Sequence, residues 1–280
     1  MSNWNLYAKV EPETRRGLEI FRSSHPPQSI TIERETWEYL ATGQGEETIL
    51  FLHGMTGAYD IWWQQINALQ DRYRIVSVTY PAVHSLANLA RGILGILEHE
   101  NIVRVNLAGS SLGGYLAQYL VSQYPNLIQR VCFGNTFPPN ALIARQNRGI
   151  GMLLPFLPES VVLSSVRKNI KESIYPAANQ SELVLAFLLE LLNGRMGKAQ
   201  FVARFHCVIE RFSVPNLQSL GIPTMIVESD NDPLVAEVLR EQLKTTYPSA
   251  ILRTLHHVGH FAYLNEAETY TGLIQDWLQM

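Results

Sequence analysis

The sequence predicts an α/β protein built on a doubly wound, parallel sheet, and three observations lead to this fold class. Short β-branched, apolar runs alternate with longer segments of helical periodicity along most of the 280 residues. Runs such as residues 48–52 carry apolar side chains at every position after Thr48, which is typical of strands buried on both faces of a parallel sheet. The alternation stops near Pro138 and resumes at Pro223, so a helical insertion divides the sheet-forming sequence.

The first half of the chain begins with a polar segment and then alternates between strands and helices. Residues 1–28 predict an irregular arm on the surface, and residues 29–39 alternate as a single strand does. A glycine-rich turn follows at residues 43–45. Further strands are expected at 48–52, at 73–79, in the run that begins at Val103 and at 127–133, with helices at 61–70, at 86–99 and from 115 onward.

The second half begins with four helical pieces that proline or glycine residues separate. They are expected around 140–154, 159–172, 180–193 and 197–212. We interpret residues 138–215 as a helical cap on a core that is formed by residues 1–137 and 216–280. The core then continues with strands at 223–229 and 250–256 and with helices at 235–247 and 265–280.

Composition excludes several classes of function. The net charge is -3 and no basic stripe is present, so we expect no nucleic-acid partner. Cys132 and Cys207 both lie in apolar surroundings, which favours two free thiols in a reducing compartment. No basic N-terminal region leads into an apolar core, and no apolar run is long enough to span a bilayer. We therefore expect a cytoplasmic protein without a transmembrane segment.

The motif Gly-x-Ser-x-Gly is centred on Ser111, where the apolar run from Val103 passes at once into a helical segment. Between a strand and a helix this motif forms a nucleophile elbow, a tight turn that raises the serine hydroxyl above the sheet. Gly109 and Gly113 lack side chains that would collide where strand and helix approach. The sequence therefore predicts Ser111 as a nucleophile, and Ser110 is interpreted as a small neighbouring residue.

A serine hydroxyl needs a base within reach and a carboxylate that orients this base. Asp230 and Asp232 follow the strand at 224–227, at the edge of the sheet where ligands bind. We favour Asp232 as the acid because it lies just ahead of the next helix, and Asp230 remains the alternative acid. His260 follows the last strand and is predicted to be the general base.

Acyl transfer also needs backbone donors for the oxyanion that develops in the transition state. We assign this role to the backbone N–H groups of Met55, in the loop after the strand at 48–52, and of Leu112, directly after the nucleophile. His53 is interpreted as a buried residue that fixes the first of these loops. His256 and His260 are four residues apart, but the stretch is typical of a strand and loop and offers no third ligand. We expect no metal and no other cofactor.

In their order and rough spacing, these motifs resemble the α/β-hydrolase superfamily. The motifs are His53-Gly54, Gly109-x-Ser111-x-Gly113, Asp232-Pro233-Leu234-Val235 and Gly259-His260. The resemblance covers residues 30–280 and implies an α/β-hydrolase fold, with an eight-stranded, mostly parallel sheet and a helical cap inserted after the sixth strand. It also implies a catalytic triad of Ser111, Asp232 and His260. Members often carry glycine three residues before the acid, where this chain has Ser229, and this keeps Asp230 open as the acid.

Within the superfamily, the chain is similar to the maspardin group, whose members are regarded as binding or adaptor proteins. The phrases that carry this likeness are Tyr73-Arg74-Ile75-Val76, Tyr80-Pro81, residues 109–118 and Asn135-Thr136-Phe137. This chain nevertheless keeps His53-Gly54 and His260, which an active enzyme needs. We therefore expect a serine hydrolase of the carboxylesterase class (EC 3.1.1) that acts on a small-molecule ester or related acyl substrate. The alternatives are a non-catalytic adaptor of the maspardin type and a C–C bond hydrolase of the same fold.

Overall fold

The computed structural model describes residues 4–280 and contains one sheet of eight strands. The strands are β1 (Gln28–Ile32), β2 (Glu35–Thr42), β3 (Thr48–Leu52), β4 (Arg74–Thr79), β5 (Val105–Ser110), β6 (Ile128–Gly134), β7 (Thr224–Ser229) and β8 (Ile251–Leu255). Their order across the sheet is β1-β2-β4-β3-β5-β6-β7-β8. The strand β2 runs antiparallel to both of its neighbours, β1 and β4, and all other neighbouring strands are parallel. The expectation of an eight-stranded, mostly parallel sheet is confirmed.

Helices cover both faces of the sheet and enclose a hydrophobic core on each side. The helices are α1 (Pro12–Ser24), α2 (Trp63–Leu69), α3 (Leu86–His99), α4 (Leu112–Gln123), α5 (Ala141–Leu153), α6 (Glu159–Asn169), α7 (Tyr175–Ala177), α8 (Glu182–Glu190), α9 (Lys198–Ile209), α10 (Leu217–Leu220), α11 (Glu237–Thr246), α12 (Ala262–Asn265) and α13 (Ala267–Leu278). Successive residues of β3 belong to opposite cores, because side chains alternate along a strand. Ile49 and Phe51 pack with α2 and α13, whereas Leu50 and Leu52 pack with α3 and α4. The continuous apolar run at 49–52 reflects this double burial.

Residues 141–209, between β6 and β7, form the helical segment of the protein and contain no strand. Its helices agree with the four pieces expected from the sequence to within a few residues, although short turns interrupt them. The apolar stripe of Leu183, Phe187 and Leu191 is buried and packs against the core that contains α2 and α13. Within residues 4–280, no helix combines the length and the apolar character that crossing a bilayer requires.

The N-terminal region differs from the sequence expectation of an irregular arm. The prediction for residues 1–3 lies outside the described residues, but residues 12–24 form the helix α1. The Glu11 side chain accepts a hydrogen bond from the Thr14 backbone N–H, and Pro12 occupies the first turn, so the start of this helix is well capped. Leu18 and Phe21 are buried in the core. The prediction was wrong because two buried side chains in a polar segment give only a weak helical pattern.

Residues 29–39, expected to form one strand, belong to the antiparallel hairpin of β1 and β2. The two-residue turn consists of Glu33 and Arg34, whose φ angles are 49° and 75°. Turns of this kind favour asparagine, aspartate and glycine, since positive φ is costly for other residues. The turn therefore carries no usual sequence signal, and the single-strand prediction was wrong.

A buried ionic cluster joins α1 to the helical segment. The carboxylate of Asp60 is fully buried and accepts hydrogen bonds from Arg22 at 2.8 Å and from Arg195 at 2.7 Å. Glu190 accepts further hydrogen bonds from Arg22 at 2.7 Å and from the Tyr7 hydroxyl at 2.6 Å. Burial alone raises the pKa of Asp60, but the charges of Arg195 and Arg22 outweigh it and hold this pKa below its ordinary value.

The Asp60→Asn variant should lose about 3 kcal/mol of unfolding free energy at pH 7, because two partly buried guanidinium groups lose a fully buried counter-charge. A carboxylate whose pKa is lower in the folded state stabilises the protein above its unfolded pKa of about 4, and this contribution disappears as pH falls through the folded value. The difference between wild type and variant should therefore narrow below pH 4. Urea unfolding at neutral and acidic pH measures both effects.

The matched control is Glu46→Gln, which removes a carboxylate from an exposed loop residue. This substitution should change the unfolding free energy by less than about 0.5 kcal/mol. Equal losses in the Glu46 and Asp60 variants, or a difference that persists unchanged at low pH, would contradict a stabilising charge on Asp60.

Candidate active site

The elbow lies at the junction of β5 and α4. Ser111 has φ 57° and ψ -121°, a conformation that residues with a side chain rarely adopt. Its backbone N–H donates to the carbonyl of Gly134 at 2.9 Å, and its carbonyl accepts from the hydroxyl of Thr136 at 2.7 Å. The end of β6 and the residues after it therefore hold Ser111 in this strained turn.

Two glycines of the motif allow β5 and α4 to approach closely. A Cβ atom on Gly109 would lie 2.3 Å from the carbonyl oxygen of Gly113, and a Cβ atom on Gly113 would lie 2.1 Å from that of Leu52. Both obstructing atoms belong to the backbone, which has no flexible side chain to move aside. The motif thus needs glycine at both positions. For Gly109 the obstruction lies between the strand and the helix of the elbow, as the sequence analysis expected, and for Gly113 it lies at the end of β3.

His260 and Asp232 meet at the carboxyl ends of β8 and β7. Nδ1 of His260 lies 2.9 and 2.8 Å from the two carboxylate oxygens of Asp232, and both side chains are buried. Burial raises the pKa of Asp232, but the electrostatic interaction and the hydrogen bond with His260 outweigh this effect and lower it. An anionic Asp232 favours the tautomer with a proton on Nδ1, so Nε2 of His260 is available to accept a proton.

Asp230 lies near a different histidine. Its carboxylate oxygens lie 2.8 Å from Nδ1 of His256 and 2.8 Å from the backbone nitrogen of His257, which donates to it. The backbone hydrogen bond from His257 and the side-chain contact with His256 lower the pKa of Asp230. The structure therefore brings Asp232, rather than Asp230, to His260, and Asp230 holds the loop after β8.

Ser111 and His260 line one cavity of about 400 Å³. The loop residues Gly54 and Met55 lie at the same cavity, and most of its other walls are apolar side chains of α6, α9 and the core. Among the described residues, no hydrogen bond joins the Ser111 hydroxyl to the His260 ring, whose Nδ1 contacts Asp232. Nucleophile–base hydrogen bonds are often long or poorly aligned before a substrate binds, so the absence of this bond is compatible with catalysis.

Both residues expected to form an oxyanion hole belong to segments next to Ser111, Leu112 directly after it and Met55 in the loop that packs against it. Leu112 begins α4, and the preceding residue of the other loop, Gly54, packs so closely that a Cβ atom there would lie 3.1 Å from Cβ of Ser111. Among the described residues, the backbone N–H groups of Met55 and Leu112 donate to no protein acceptor. Both donors therefore remain available to a ligand.

Arg204, in α9, is a residue of the site that the sequence analysis missed. It is 1% exposed, and its guanidinium donates to the carbonyls of Met55 at 2.8 Å, Gly57 at 3.1 Å and Tyr80 at 2.9 Å. Burial lowers the pKa of Arg204 to about 10, so it stays protonated at neutral pH. Its position between Ala203 and Phe205 in an apolar stretch is a signal that could have marked it.

Arg204 also acts on the environment of His53. His53 is fully buried, its Nδ1 lies 2.6 Å from the carbonyl oxygen of Gly54, and it accepts a long hydrogen bond from the backbone N–H of Tyr80. Burial and the charge of Arg204 lower the pKa of His53 well below its ordinary value, so it is neutral. His53 thus fixes the loop of Met55, as the sequence analysis expected.

Asn135 is the second residue of the site whose role was missed. It follows β6, has a positive φ of 40°, and donates from Nδ2 to the carboxylate of Asp232 at 2.8 Å. Asparagine tolerates this backbone conformation better than most residues. A polar residue at the carboxyl end of a buried strand was the available signal, but its partner lies 97 positions away.

Residues 47–267 match the model of the alpha/beta hydrolase fold family, which is well over half of the chain. The chain belongs to the α/β-hydrolase family. Its relatives include a 2-hydroxy-6-oxononadienedioate/2-hydroxy-6-oxononatrienedioate hydrolase of Burkholderia vietnamiensis, which is 25% identical over 86% of this chain and 90% of the relative. Maspardin of Danio rerio is 22% identical over 87% of this chain and 79% of that protein.

Solved structures support the same fold. The enol-lactonase from Burkholderia xenovorans superimposes with a TM-score of 0.76 at 15% identity and covers 90% of this chain and 100% of its own. At this identity the likeness concerns the fold of the α/β hydrolase alone. Together with the family match and the maspardin relatives, it confirms the resemblance expected from the sequence motifs.

Proposed function

We propose that this α/β hydrolase is a serine hydrolase that cleaves a carboxylic ester or a related acyl substrate through an acyl-enzyme. The observation that carries the proposal is the buried pair of His260 and Asp232 at the cavity that Ser111 lines. A hydroxyl, an imidazole and an orienting carboxylate are the groups that acyl transfer requires. The neighbouring backbone donors of Met55 and Leu112 add support, since neither is used within the described residues.

In this mechanism, Oγ of Ser111 attacks the substrate carbonyl carbon while Nε2 of His260 takes the hydroxyl proton. Anionic Asp232 stabilises the resulting imidazolium, and the N–H groups of Met55 and Leu112 bind the oxyanion. His260 returns the proton to the leaving alcohol as the carbon–oxygen bond breaks. Water activated by His260 then hydrolyses the acyl-enzyme and restores the Ser111 hydroxyl.

Residues 138–215 act as a cap over the active site in this proposal, and residues 1–137 and 216–280 form the catalytic core. The support is that α6 and α9 supply a large share of the cavity wall, including Phe201 and Phe205. A cap of this kind excludes water and shapes the pocket for the substrate.

The second candidate function is binding without catalysis, as an adaptor protein. It is favoured by the absent hydrogen bond between Ser111 and His260 among the described residues, together with the similarity to maspardin. A fluorophosphonate probe distinguishes the two candidates, because it reacts only with a serine whose hydroxyl is activated by a base.

We expect the probe to label wild-type protein and to leave the Ser111→Ala variant unlabelled. The Ser110→Ala variant is the matched control, because Ser110 is the adjacent buried residue of β5 and should keep its label. Gel fluorescence after brief probe treatment, with circular dichroism to verify folding, gives the result. Folded wild-type protein that takes up no label would favour the adaptor, and equal labelling of both variants would place the nucleophile elsewhere.

A further inference from the structure

The cavity at Ser111 is lined almost entirely by uncharged side chains. Among the described residues that line it, His260 is the only titratable group, and no lysine, arginine, aspartate or glutamate is present. The wall consists mainly of aliphatic and aromatic side chains, and the neutral polar groups other than Ser111 are Thr56, Ser165 and Asn169. A ligand inside this cavity therefore meets no fixed positive charge.

Four cationic residues lie next to lining residues in the chain, and none of them lines the cavity. The guanidinium of Arg204 donates to three backbone carbonyls of the loop of Met55 and of Tyr80. Arg167, next to Val166 in α6, donates to the carbonyl of Leu192 and to the side chain of Asn193.

Two lysines adjoin the lining residues Asn169 and Ile170. Lys168 lies 3.8 Å from the carboxylate of Glu172, and both Lys168 and Lys171 are exposed to solvent. A carboxylate inside the cavity therefore meets none of these four cations among the lining side chains.

The charge directly behind His260 has the wrong sign for an anionic substrate. Asp232 is anionic and lies directly behind His260. A carboxylate enclosed in the cavity would lose its hydration, gain no counter-ion and be repelled by Asp232. A dienedioate, the compound in the name of the relative from Burkholderia vietnamiensis, carries two such carboxylates.

We infer that the enclosed part of the substrate is uncharged and apolar, as in a neutral ester with a short or medium acyl chain. The inference deepens the proposed function and rests on it. The cavity of about 400 Å³ holds roughly a dozen non-hydrogen atoms, at about 30 Å³ for each water-sized group. Ser165 and Asn169 are exposed, so any polar substituent of the substrate would be placed at this side of the cavity.

The test compares two p-nitrophenyl esters of similar shape, of which one is neutral and the other is anionic at neutral pH. The 6-methylheptanoate ends in an isopropyl group, and the hemiadipate ends in a carboxylate of the same branching. At neutral pH, wild-type protein should show a kcat/KM about 30-fold higher for the neutral ester, because only the anionic ester loses hydration without compensation. Equal values, or faster turnover of the hemiadipate, would overturn the inference.

A variant tests the charge argument directly. Asn169→Arg places a cation at the exposed edge of the cavity, where the new side chain has room, and Asn169→Gln is the matched neutral control. The arginine variant should narrow the preference for the neutral ester several-fold, and the glutamine variant should retain it. A preference unchanged by Asn169→Arg would contradict a missing cation as its cause.

Binding to the Ser111→Ala variant separates this inference from the proposed function. The p-nitroanilides of the same two acids are added to this variant, and ligand binding is measured by thermal shift. The neutral ligand should raise the unfolding temperature more than the anionic ligand, whether or not the protein is an enzyme. Failed fluorophosphonate labelling would reject the catalytic function alone, whereas tighter binding of the anionic ligand would reject the uncharged substrate.

Discussion

The Asp232→Asn variant should lose three to four orders of magnitude in kcat, roughly the effect of removing the orienting carboxylate from a serine triad. The asparagine amide can donate to Nδ1 of His260, and this would place the ring proton on Nε2, where it prevents proton transfer from Ser111. The hydrogen bond from Asn135 would lose its carboxylate acceptor as well. Steady-state kinetics with a p-nitrophenyl ester measures the loss, and thermal unfolding verifies that the variant is folded.

Asp230→Asn is the control for this experiment, because the two aspartates are only two residues apart. Asp230 contacts His256 and the backbone of His257, and it is partly exposed. Its replacement should change kcat only a few-fold, through the position of the loop after β8. The opposite ranking of the two variants would show that Asp230 orients the base in solution.

Sequence could predict most of this fold because the parallel strands are buried on both sides. A run such as residues 48–52 is buried at every position and is apolar throughout after Thr48, and the helices between such runs have clear periodicity. The edge of the sheet and the N-terminal helix were harder to predict. The turn of Glu33 and Arg34 lacks the residues that usually permit positive φ, and α1 is recognisable mainly from the core that covers Leu18 and Phe21.

Some features of the candidate site could likewise be predicted from neighbouring residues, whereas others depend on residues that are distant in the sequence. The backbone of Gly113 leaves no room for a side chain at Gly109, and the backbone of Leu52 in β3 leaves none at Gly113. The motif residues nevertheless lie within five consecutive positions, so the motif is visible in a short window of sequence. The choice between Asp230 and Asp232 depends on a loop whose shape is fixed from outside. Asn231, between them, donates to the carbonyl of Ala177 at 2.8 Å and accepts from the backbone of Gly259 at 2.9 Å. No local pattern encodes those partners.

Arg204 is the clearest example of a residue that holds a part of the site far from it in the sequence. Its replacement is the second change for which we expect a large fall in kcat. Arg204→Met keeps a long side chain but removes the donors that hold the carbonyls of Met55, Gly57 and Tyr80. The loop would no longer be held with the Met55 N–H aimed at the oxyanion. Loss of one hydrogen-bond donor from an oxyanion hole lowers the rate roughly 10²- to 10³-fold, so we expect kcat to fall by about two orders of magnitude or more.

A purely structural role for Arg204 would give a different result from a positioning role. If Arg204 positions the oxyanion loop, kcat should fall much more than KM rises, because the interaction is made in the transition state. Arg204→Lys should recover only part of the rate, since one ammonium cannot match the fork geometry of the three carbonyl contacts. Arg211→Met, at an exposed position beyond the end of α9, is the matched control and should leave kcat unchanged. An Arg204→Met variant that is folded and retains wild-type kcat would show that the loop needs no such support.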